Sequence, residues 1–205
     1  MKRKLLIIIF AVIGLGVLAQ KMSFGVKGGI NYLSLDNYGG GTYTLCEYRS
    51  CLSAGITAQY KWGDFLNFAI QPELVYSQSQ TYIHPVVGLP LGDIRLIDIE
   101  LPINFQMGLQ LSPIFRPFVS AGLGFCYLID TKVNDNLYSD GSLGFGSFNK
   151  FNVSFSGGAG FDLWNFQMQG RYRANVTRLN NTKQIFDKLL LSGFELSLTY
   201  FFLRR

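Results

Sequence analysis

From Phe151 to Val176 the chain reads FNVSFSGGAGFDLWNFQMQGRYRANV, and it alternates between two kinds of residue almost without a slip. Phe151, Val153, Phe155, Ala159, Phe161 and Leu163 share one parity, and Asn152, Ser154, Ser156, Gly158, Gly160 and Asp162 share the other. After the corner at Trp164-Asn165 the pattern resumes, with Phe166, Met168, Tyr172, Ala174 and Val176 set against Gln167, Gln169, Arg171, Arg173 and Asn175. A two-residue period predicts two β-strands, each with one apolar and one polar face. The same alternation recurs over residues 24–32, 52–62, 66–76, 97–109, 115–129 and 194–202, which brings the expected strands to eight.

The connections sort by length. WGDF at 62–65, LSPIF at 111–115 and LWNF at 163–166 are tight turns, whereas 36–51, 80–93, 131–149 and 178–191 are long and polar. Short turns at one end and long loops at the other are the plan of an outer-membrane barrel, with the turns and both termini periplasmic. The faces agree. The polar parity collects Lys27, Lys61, Glu73, Asp98, Glu100, Arg116, Asp162, Arg171, Arg173 and Glu195, while the apolar parity of the same strands is essentially free of charge. Lipid enforces that purity, because Lys or Arg at the bilayer midplane costs about 2–4 kcal/mol. The expected fold is therefore all-β, a single eight-stranded antiparallel transmembrane barrel with its apolar parity on lipid and its charges in the lumen. Tyr32, Tyr60, Trp62, Tyr76, Tyr127 and Trp164 fall near strand ends, where aromatic girdles belong.

The amino terminus supplies the address. Lys2, Arg3 and Lys4 precede an apolar run from Leu5 to Leu18 that ends at Val17-Leu18-Ala19, the plan of a secretory signal peptide over residues 1–19. The run is shorter than the roughly 20 residues of a spanning helix. Residues 20–205 are then one outer-membrane domain, with no linker or low-complexity tract. Three of the 18 Lys and Arg residues lie in the leader, leaving 15 against 13 acids, so the formal +5 becomes +2 and a nucleic-acid surface finds no support.

The order FGVKGGINYLSL, AIQPELVYSQSQ, IELPINFQMGL, PFVSAGLGFCYLI and GGAGFDL resembles the outer-membrane barrels of the PorT-like porin family, of the small size of the OmpX and OmpA barrels. That family repeats the motifs QPELxYS and LxxPLLxK and a Gly-rich fifth strand in this order. Here Asn104 and Gln106 replace the more usual Leu and Lys of the second motif. The resemblance implies the barrel fold and, for some members, a part in secretion across the outer membrane; it identifies no active site.

No catalytic, cofactor or metal constellation is expected. GGGTY at 39–43 lacks the Lys and helix of a phosphate loop, and GGAGF at 157–161 lies within a strand. His84 is the single histidine, so a multi-histidine metal site is excluded; it stands in a long loop, where a lipid-modifying activity would have to begin. Cys46 and Cys51, in CEYRSC, are close enough in sequence to close a small loop, with unpaired thiols as the alternative. The lumen charges form the strongest constellation, read as a salt-bridged plug that does not conduct. The expected partners are outer-membrane lipid and lipopolysaccharide, the outer-membrane assembly machinery reading the carboxyl-terminal FELSLTYFFLRR, and a protein partner at loops 131–149 and 178–191. The function expected is structural or surface interaction, with a secretion-accessory role as the alternative.

Overall fold

A computed structural model describes residues 22–37, 46–83, 92–133, 136–137, 149–177 and 189–203. The candidate leader, His84, the inner parts of the long loops and the last two arginines lie outside the described residues.

Eight long strands form: β1 (Met22–Asn37), β2 (Cys46–Trp62), β3 (Leu66–Ile83), β4 (Gly92–Leu109), β5 (Phe115–Val133), β7 (Phe151–Leu163), β8 (Phe166–Asn175) and β9 (Leu189–Leu203). A two-residue β6 (Asn136–Leu137) folds back on the end of β5, pairing Lys132 with Leu137 and Val133 with Asn136. Each long strand runs antiparallel to the next, and β1 pairs with β9 to close the ring. The result is a closed eight-stranded barrel.

Period-two burial follows from the sequence. Along β8 exposure alternates from Phe166 to Asn175, with Gln167, Gln169, Arg171, Arg173 and Asn175 buried and Phe166, Met168 and Tyr172 exposed. The buried centre of this molecule is therefore polar. The outer surface carries apolar residues such as Val26, Ile56, Leu74, Leu101, Leu123, Phe155 and Leu198.

The strands run further toward the loop end than the alternation predicts, most clearly in β3, β4 and β5, which have 18, 18 and 19 residues. Backbone pairing does not require an apolar outer face, so the ladder continues after the outward residues turn polar, as at Gln78 and Arg95. This lengthening corrects the reading of 36–51 as a loop and with it the disulfide. Cys46 and Cys51 stand five residues apart along β2, about 16 Å at a strand's rise. A bridge requires Cα atoms within about 7 Å, so that pairing is incompatible with the strand.

At the opposite end the tight turns are tied to one another and to β9. Gln110 N donates to Phe65 O at 2.8 Å, Trp164 N to Ile114 O at 2.8 Å and Phe201 N to Asn165 O at 2.8 Å. Gly63 takes φ 90° in the first turn, a conformation that suits its missing Cβ.

Candidate functional site

The inward parity brings the ten lumen charges into one column, and five cations face five acids along it. Only Lys61, with its side chain 24 % exposed, reaches water to any extent. Three tiers can be distinguished by their height on the strands.

The middle tier is a four-membered ring. Lys27 Nζ lies 2.8 Å from both Glu73 and Glu195, and Arg171 lies 2.7 Å from Glu195 and 3.4 Å from Glu73. Each cation thus touches both acids. The register that places Arg171 opposite Glu195 makes this possible. Two charges of each sign in a buried site satisfy one another, whereas removing any one would leave an uncompensated ion.

Toward the loop end, Arg173 holds Glu100 at 2.7 Å and Asp98 at 3.3 Å, and approaches Cys126 Sγ at 3.2 Å. Ser154 Oγ donates to Glu100 at 2.8 Å. Gly124 leaves room here, since a Cβ on it would overlap Glu100 and the Ser154 hydroxyl and force those side chains to shift. Four buried leucines, Leu33, Leu96, Leu128 and Leu191, also belong to this end of the inner wall.

Toward the turn end, Asp162 takes Lys61 at 2.6 Å and Arg116 at 3.3 Å, and accepts a hydrogen bond from Gln167 at 2.9 Å. Arg116 also donates to Gln106 at 3.1 Å and to Asn67. Its guanidinium occupies the space where a Cβ on Gly108 would stand and lies 5.3 Å from the Phe118 ring centroid.

Between the middle ring and the turn-end tier lies a layer of glutamines. Gln59 donates to Gln71 at 3.0 Å and to Gln106 at 3.1 Å; Gln71 donates to Gln167 at 3.0 Å and to Glu73 at 2.9 Å; Gln106 donates to Gln71 at 2.7 Å. An amide both donates and accepts, so this layer relays hydrogen bonds from the central ring to the Asp162 tier. A search for charges passes over it, although the glutamines share the inward parity and could have been found by it.

Chemically, the inward side chains form a crossbraced network in which five cations face five acids. Ser154 and Cys126 are nucleophile types, yet both are buried with their side chains engaged in this packing. Among the described residues no group of three or more His, Cys, Asp or Glu is placed to hold a metal.

Residues 18–181 match the family model described as outer membrane protein beta-barrel domain. No curated protein matches the chain by sequence. Among solved structures it is similar to Neisserial surface protein A (16 % identity, TM-score 0.48, 87 % of this chain and 97 % of that one). It is also similar to OprG from Pseudomonas aeruginosa (13 %, 0.48, 88 % and 95 %) and to the outer membrane enzyme PagL (14 %, 0.46, 86 % and 98 %).

Proposed function

Because the chain belongs to the outer membrane protein beta-barrel domain family, and its barrel is filled from within, we propose that it is a non-conducting wall element of the outer membrane whose long loops make the contacts. The observation that carries this reading is the middle ring, in which Lys27, Arg171, Glu73 and Glu195 are buried and mutually paired. An ion crossing the barrel would have to break those pairs and displace the glutamine layer beneath them.

The same reading makes residues 1–19 a cleaved leader, places the tight turns and both termini in the periplasm and puts the long loops outside. Planar-bilayer recording on folded protein tests closure: the expected trace is flat, and porin-like steps would overturn it. Tags at 138–142 should be reached by antibody on intact cells and tags at 112–113 should not.

The PorT-like motif order extends the proposal to a secretion-accessory role through a protein bound at the loops. Cross-linking from the loop segments in intact cells, followed by identification of the captured chain, tests it. Recovery of a secretion component would support the extension, and loops that capture only lipopolysaccharide would end it.

A further inference from the structure

The two prolines in the segments QPELVYS and LPIN stand on neighbouring strands, and the lumen network uses neither. Proline has no N–H to give to a ladder and is rare inside a sheet. Here the ladder lapses beside both. Pairing of β2 with β3 passes from Thr57↔Glu73 to Tyr60↔Ile70 and skips Ala58 and Pro72. Pairing of β3 with β4 passes from Pro72↔Ile103 to Val75↔Glu100 and skips Leu101 and Pro102.

On the outer wall this fault coincides with a groove of about 350 Å³. Ala58 and Pro72, both short, make its floor, while Phe24, Ile56, Leu74 and Phe202 stand exposed around it. An apolar cavity of roughly 150 Å³ already accepts a benzene ring.

Three features restrict what can lie there. Pro72 is four residues from Phe68 on one side and four from Tyr76 on the other, so the floor is well inside the apolar band and away from water. Thr57 Oγ1 lies 3.3 Å from Pro72 O and 3.5 Å from Ala58 O, covering both carbonyls from the lumen side, so these two carbonyls ask for no polar ligand from outside. A barrel wall is convex, so a second copy of the chain meets the rim before it reaches the floor. A slender, flexible, apolar chain meets all three conditions.

We propose that the groove holds one acyl chain of a phospholipid as a resident ligand, which exchanges more slowly than the lipid around the rest of the wall. Phe24 and Phe202 lie near the turn end of β1 and β9, so the chain enters from the turn-side leaflet. The choice of phospholipid rests on the periplasmic turns proposed above, which the tags test separately.

For the test, the protein is folded into phosphatidylethanolamine vesicles, transferred to detergent and weighed by native mass spectrometry, with folding verified by the heat-shifted band. The expected result is a barrel that carries one phospholipid. Ala58→Phe fills the floor and should lower that fraction several-fold, whereas Ala121→Phe, on the outer face of β5 and away from the groove, should leave it unchanged. If Ala58→Phe does not fold, Ala58→Leu takes its place. A wild type that keeps no phospholipid, or equal retention by the Ala58 variant, overturns the proposal. From vesicles that also contain lipid A, preferential retention of lipid A overturns the choice of phospholipid.

Discussion

On β8, Tyr172 and Arg173 are consecutive residues that obey opposite rules. Tyr172 points outward to lipid beside Phe194, with ring centroids 5.1 Å apart. Its surroundings ask only that it be uncharged and bulky, so many apolar side chains would serve. Arg173 points inward and touches Glu100, Asp98 and Cys126. Its surroundings ask for this side chain, in this register, with these partners. The outer face is specified by solvent and the inner face by geometry, so substitutions on the two faces should fail in different ways.

The largest effect should come from the middle ring. Glu195→Ala leaves Lys27 and Arg171 to share Glu73, and the loss expected for a broken buried pair is about 3–5 kcal/mol. Urea unfolding followed by the heat-shifted band measures it. Adding Arg171→Ala restores one cation to one acid, so the double variant should lose clearly less than the sum of the singles. Strict additivity would show that the inner face is not a coupled network.

Next is Phe155→Arg on the lipid side, with an expected loss of about 2–4 kcal/mol if the site lies near the midplane. Phe155→Leu should change little, because the outer rule concerns polarity and not shape. The inward neighbour Ser154 tests the contrast: it is buried beside Gly124 and donates to Glu100, so Ser154→Arg should overfill the lumen and also fold poorly. If Phe155→Leu proved as harmful as Phe155→Arg, the outer face would need a shape rule as well.

The smallest pair of effects uses two glycines. Gly124→Ala drives a methyl into Glu100 and Ser154, and overpacking of this kind costs about 1–3 kcal/mol. At Gly170 a Cβ would meet nothing within 4 Å, so Gly170→Ala should be neutral or stabilise by up to about 1 kcal/mol. Equal losses at both positions would erase the distinction between the faces.

The difference between the faces also explains what can be read from the sequence. Lipid tolerates no exceptions, so the outward parity is legible from Phe24 to Phe202, and the eight spanning strands with it. The strands' extensions are not legible, because past the membrane the outward residues turn polar and alternation ceases while the ladder of hydrogen bonds goes on. Pairing inside the lumen is only half legible. Parity places Arg171, Arg173 and Glu195 on the same wall, but only the β8–β9 register assigns Glu195 to Arg171 and leaves Arg173 to Asp98 and Glu100. Partners on strands that do not pair, such as Lys27 on β1 and Glu73 on β3, are 46 residues apart in the chain, and no local pattern announces them.

The middle ring also bears on how the barrel closes. Its members come from β1, β3, β8 and β9, so it spans the seam where the first strand meets the last. A slip of two residues at that seam would preserve parity, leaving every apolar side chain on lipid and every polar one inside. The membrane therefore cannot distinguish the slipped barrel from the correct one. Lys27 can, because a two-residue slip moves Glu195 along the seam by about 6–7 Å and breaks a contact of 2.8 Å. The ring serves as a checksum on closure, proofreading a register that hydrophobicity alone would pass.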